Sequence, residues 1–157
     1  MNKICRFCGQ EFEPIKYGGS RQFCFECVPE GLSVGDRTKM KRQAAKRAGV
    51  KLLGGKCLKC GDTRPYLLAF HHLDKNDKDN TPSRYIANSQ FEQFFDEIKK
   101  CCLLCNNCHT EFHYFEANEN LTIEQYLEMT KEEIIEKIEQ SEINRKYKKI
   151  SEYNTGS

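Results

Sequence analysis

At 157 residues, with 25 lysines and arginines against 23 aspartates and glutamates, the chain has room for one ordinary domain or two very small ones, and its net charge of +2 singles out no partner. Ten cysteines, 31% charged side chains, no leader-like segment and no apolar run approaching the ~18 residues of a membrane helix predict a protein of the reducing cytoplasm with no membrane association. Thiols in that compartment bind metal rather than pair as disulfides, so composition argues against a secreted disulfide scaffold.

The first predicted element is a zinc ribbon over residues 1–31. It is made of Cys5-x-x-Cys8 and Cys24-x-x-Cys27 on either side of a turn at Gly18-Gly19-Ser20. So short a segment cannot bury enough apolar surface, and one structural Zn²⁺ on four thiolates is the natural replacement. Gly9 after Cys8 and Gly61 after Cys60 make the two clamps alike, because glycine can take positive φ and turn backbone N–H groups toward the thiolates. A basic linker, residues 32–56, follows. Its pattern predicts a helix from Asp36, the cap, to Ala48, ended by Gly49. Between Arg37 and Lys51 there is no acid, while Arg37, Lys39, Lys41, Arg42, Lys46 and Arg47 supply positive charge. The apolar content is thin (Met40, Ala44, Ala45 and Ala48), so the helix is expected at the surface, either merely solvated or contacting DNA phosphates.

Tyr66 to Leu73 reads as a strand that delivers His71 and His72 at its end. The acidic loop from Asp74 to Asn80 has Asp79 where a calcium loop needs glycine and Tyr85 where it needs glutamate, so a calcium site is rejected. Ser89 with Glu92 reads as a capping box, and Phe91, Phe94, Phe95 and Ile98 fall at helical spacing, predicting a helix over 90–100 with a core-facing aromatic stripe. Cys101 to Leu104 can form a second strand and Asn106 to about Ala117 a helix, on which His109 and His113 share a face. Glu111 and Tyr114 lie off it. From 119 to 157 a helical extension starts at Thr122 and again at Thr130, where Glu133 completes a capping box. It carries Ile134, Ile135 and Ile138 and can fold back on the core or pair two copies as a homodimer. Arg145, Lys146, Lys148 and Lys149 form a basic tail, and residues 154–157 are expected to be disordered.

All four histidines stand just after a Cys-x-x-Cys. Cys57-x-x-Cys60 can join either Cys105-x-x-Cys108 or the overlapping Cys102-x-x-Cys105 in a second closed structural zinc site. Eight cysteines then satisfy two such sites, leaving the imidazoles surplus for an ion with open coordination. The competing expectation is that the histidines complete ordinary mixed zinc fingers, a use to which the adjacent His71 and His72 are poorly suited.

The run Leu68-Ala69-Phe70-His71-His72-Leu73-Asp74, with Lys100 to His113 after it, resembles an HNH endonuclease of the ββα-metal fold, in the zinc-clamped form common in phages and bacteria. The resemblance covers roughly residues 57–115. It implies a small α+β protein with a nuclease domain over 57–118, the pairing of Cys105 with Cys108, and a single catalytic divalent ion beside the two structural Zn²⁺. His71, His109 and His113 would be its ligands and His72 the general base. DNA would be cut to 5′-phosphate and 3′-hydroxyl ends, and a phage-encoded chain would act in the host cytoplasm. Two positions depart from the pattern. An all-imidazole set favours Ni²⁺, Zn²⁺, Co²⁺ or Mn²⁺ over Mg²⁺, and the middle asparagine of the family falls at Lys100, so that Asn107 or Asn106 would have to serve. The alternatives are a noncatalytic zinc-binding DNA-recognition protein and an adaptor that uses the acidic C-terminal helices.

Overall fold

The computed structural model describes residues 1–14 and 20–154. The expected turn at Gly18 and Gly19 and the tail residues 155–157 lie outside the described residues. Among the described residues the chain is a small α+β fold with two two-stranded sheets and six α-helices, none long and apolar enough to cross a membrane. It divides into two compact units, 1–111 and 112–157.

In the first unit, β1 (Lys3–Ile4) and β2 (Glu11–Phe12) pair antiparallel around the Cys5 to Cys8 turn. Helix α1 (Val34–Leu52) begins earlier than its sequence pattern predicts. Ser33 is the N-cap, its hydroxyl accepting from the Asp36 amide and donating to the Asp36 carboxylate. The helix also runs past Gly49, which is not a cap. A Cβ there would lie 2.7 Å from Phe94 Cζ, 3.0 Å from Ile98 Cδ1 and 3.1 Å from Phe70 Cζ, so the glycine lets α1 press directly onto the aromatic core. Ala44, Ala45 and Val50 are buried on the same helix, which therefore has one packed face and one basic face.

Strands β3 (Leu68–His72) and β4 (Cys101–Cys105) form the second antiparallel pair, with Leu68 opposite Cys105, His71 opposite Cys102 and His72 opposite Cys101. Every residue of β4 is buried, so both faces of this ribbon are covered. Between the strands lie α2 (Pro82–Ala87) and α3 (Phe91–Ile98). Thr81 caps α2 through the Arg84 amide, with Pro82 in the first turn where its missing N–H is harmless. The capping box expected at Ser89 is absent, because Ser89 takes φ 56° in the tight link between α2 and α3, and Gln90 stands at the cap of α3 without a side-chain bond. Phe94 and Ile98 are fully buried, and Phe70 of β3 meets Phe94 edge-on at 5.4 Å. Phe7 stacks on Phe23 at 4.3 Å and meets Phe91 edge-on at 5.2 Å, so the N-terminal cysteine segment shares one apolar core with α1 and α3.

Helix α4 (Asn106–Glu119) starts directly after β4, and the boundary between the two units falls within it. In the second unit, α5 (Ile123–Glu128) carries the Thr122–Gln125 capping box, and α6 (Lys131–Asn154) carries the one expected between Thr130 and Glu133. Among its described residues Phe112, Phe115, Ile123, Tyr126 and Ile134 are the buried side chains, and Arg145 lies over the Tyr114 ring.

Candidate metal centres

Three groups of side chains come together: Cys5, Cys8, Cys24 and Cys27; Cys57, Cys60, Cys105 and Cys108; and His71, His109 and His113. Within each, the candidate ligand atoms all lie within 4.8 Å of one another. A tetrahedron of sulfurs bonded to zinc at ~2.3 Å has edges of ~3.8 Å. The Sγ atoms of Cys8 and Cys24, and of Cys60 and Cys105, are each 3.6 Å apart, so the donors fit that ion. The pairing of Cys105 with Cys108 holds, and Cys102 stands outside the thiolate group. Burial pushes the neighbouring Cys101 thiol up to about 12, which suits a protonated, apolar strand residue.

Backbone amides prepare both thiolate groups. Burial works against ionisation of Cys5 and Cys57, but the amides of Cys8, Cys24 and Phe7 around the first, and of Cys60, Cys105 and Lys59 around the second, outweigh it and bring both thiols down to about 7. In Cys27 and Cys108 burial prevails and the thiols are raised. The turns repeat as well. The Gly9 amide donates to the Cys5 carbonyl and the Gly61 amide to the Cys57 carbonyl, each at 2.9 Å. The glycines take φ 72° and 78°, a conformation that opposes any side chain.

The histidines separate into two environments because successive strand residues point to opposite faces. His71 faces α4, its ring 5.1 Å from that of His109, and His113 joins them one turn later on the helix. Nitrogens around an ion at ~2.1 Å are spaced ~3.0–3.4 Å apart, within reach of these rings by side-chain rotation. Three protein donors leave coordination positions open to water or substrate. Nδ1 of His113 lies 3.1 Å from Glu116 Oε2, an outer carboxylate of the sort that orients ligating imidazoles.

His72 lies apart from that group, on the α3 side of the strand. Its Nε2 is 2.7 Å from Oε1 of Glu97, which is only 2% exposed and which the sequence pattern does not mark as functional. Burial opposes ionisation of Glu97, but hydrogen bonds from His72, the Asn80 amide and Lys100 hold its carboxyl below the ordinary glutamate value. Lys100, where the resemblance expects asparagine, donates to the Asp77 carbonyl at 3.0 Å, the Asp79 carboxylate at 2.6 Å and the Glu97 carboxylate at 3.3 Å. Asn106 and Asn107 are exposed on the first turn of α4.

Of the predicted phosphate contacts, Arg37, Lys39 and Arg47 are exposed along α1 and Lys46 is half-buried. Lys41 sits over the Phe23 ring. Arg42 does a structural job instead: its guanidinium donates to the Ala87 carbonyl at the end of α2, and its Nε is buried without a hydrogen-bond partner. The chain matches no protein family model, no curated protein and no solved structure.

Proposed function

We propose that this protein is a metal-dependent endonuclease of the HNH type that hydrolyses DNA phosphodiester bonds. The observation that carries this reading is the imidazole group. Three of the four histidines converge beside a thiolate cage that is already complete without them. A zinc finger has no use for a second, half-open donor set, whereas a metal-dependent hydrolase keeps just such an open position. The order of β3, β4 and α4 is also that of a ββα unit, with the cage joining the chain before the first strand to the start of the helix.

His71, His109 and His113 would hold one divalent ion. Such an ion would supply positive charge to offset what builds on the phosphate and its departing oxygen. His72 takes a proton from the attacking water, a task to which an imidazole is suited near neutral pH. Displacement at phosphorus is in line, with entering and leaving oxygens on opposite sides. Ligand and base projecting from opposite faces of one strand end suit a phosphate lying across that end. The exposed Arg37, Lys39 and Arg47 offer charge to neighbouring phosphates.

The test is cleavage of supercoiled plasmid in Ni²⁺, Mn²⁺ or Mg²⁺ by the wild type and by His72→Ala. The substitution should lower the rate by ~10²–10⁴-fold while zinc content stays unchanged. Equal cutting by the two proteins would reject His72 as the base. Tight, salt-sensitive DNA binding by the wild type without cutting in any metal would favour a noncatalytic DNA-recognition protein.

A further inference from the structure

A fully buried glutamate is rare without partners, and Glu97 has them on both oxygens. Oε1 accepts from His72 Nε2 at 2.7 Å, from the Asp79 amide at 3.1 Å and from the Asn80 amide at 3.4 Å, while Oε2 accepts from Lys100 Nζ at 3.3 Å. Lys100 in turn grips the Asp77 carbonyl and the Asp79 carboxylate, so one carboxylate ties the strand end carrying His72 to the loop that follows it. An ionised carboxylate can only accept hydrogen bonds. The His72 nitrogen facing it must therefore carry hydrogen, which leaves Nδ1 as the nitrogen with a free lone pair in the neutral ring.

We propose that Glu97 is the positioning residue of the active site: it fixes His72 as the Nε2–H tautomer and, with Lys100, clamps the 77–80 loop so that Nδ1 is the atom presented to water. This rests on the reading of His72 as the base. Glu97 does not touch substrate or ion in this arrangement. It acts through the imidazole, as a buried carboxylate does wherever a base must be held in one tautomer and one orientation.

The experiment uses the full chain, zinc-loaded and labelled with ¹⁵N-histidine, with the His72 signals assigned by His72→Asn. Ring nitrogen shifts should report the Nε2–H tautomer for His72 in the wild type and its loss in Glu97→Gln. In plasmid cleavage Glu97→Gln should lower kcat by ~10²–10⁴-fold, the scale seen when a base loses its orienting carboxylate, with KM held within about threefold because no substrate contact is removed. An Nδ1–H tautomer in the wild type overturns the proposal. So does a Glu97→Gln protein that keeps both the wild-type tautomer and the wild-type kcat. Should that variant fail to fold, the wild-type tautomer decides alone. A wild type that cuts in none of the metals rejects the endonuclease reading instead, a result distinct from undiminished cutting by Glu97→Gln.

Discussion

Around Cys5 and around Cys57 the backbone follows the same path. The amides of Cys5 and Cys57 each donate at 2.8 Å to a carbonyl five residues on, and the amides of Cys27 and Cys108 approach the sulfurs of Cys24 and Cys105 at 3.4 and 3.5 Å. The two cages part company after their last cysteine. Cys27 leads into Val28 and Pro29, and no helix begins until Val34, whereas Cys108 already lies in the first turn of a 14-residue helix that carries His109 and His113. In the proposed reading a four-thiolate cage is scaffolding in either place, and the element it anchors determines whether chemistry can follow. In the first case that element is aromatic packing against α3; in the second it is a row of imidazoles.

Breaking each cage in turn is the most severe way to examine the contrast. Cys105→Ser and Cys24→Ser should each release about one zinc per chain, since structural zinc supplies ~10–16 kcal/mol of folding free energy in small zinc modules. Cys105→Ser should also abolish DNA cutting, because Cys105 is both the last residue of β4 and the neighbour of α4. Cys24→Ser should loosen residues 1–31 and leave cutting measurable. Metal analysis alongside cleavage checks both, and equal loss of activity in the two variants would erase the functional distinction between the cages. A narrower cut is His109→Ala, which should keep two zincs and lose the third ion. Loss of an outer-shell partner already costs 10–100-fold in metal affinity, so loss of a direct ligand should exceed ~100-fold; titration calorimetry with Mn²⁺ or Ni²⁺ measures it. The mildest pair sharpens the likeness instead. Gly9→Ala and Gly61→Ala meet open space, so only the left-handed backbone is strained, by about 1–2 kcal/mol in each case. Matching falls in thermal midpoint are expected, and a clear inequality would show that the two turns are not equivalent.

The cysteine groups were legible in the sequence because a Cys-x-x-Cys carries its geometry within four residues, and His109 and His113 because helical spacing alone sets their shared face. What needed the fold was whatever depends on distant elements meeting. Glu97 reads along its helix as one more polar position, and only the approach of β3 to α3 makes it the partner of His72. Gly49 reads as a helix stop, since no local pattern distinguishes a terminating glycine from one that admits a neighbouring phenylalanine. Arg42 belongs by sequence to the basic run, yet α2, too short for a strong periodic signal, supplies the carbonyl that engages it. Thr81 followed by Pro82 was the available clue to that helix.

Cys108 and His109 are consecutive on α4, yet they belong to different donor groups. Once a residue of the cage is committed, its neighbour's direction is committed too, because adjacent helical positions differ by a fixed ~100°. In the proposed reading, closing the sulfur cage around zinc would therefore also steady the nitrogen trio. If that reading holds, a chain made under zinc starvation should bind the histidine-held ion poorly however abundant that metal is, and a chelator strong enough to empty the cage should lower activity without competing for the imidazoles.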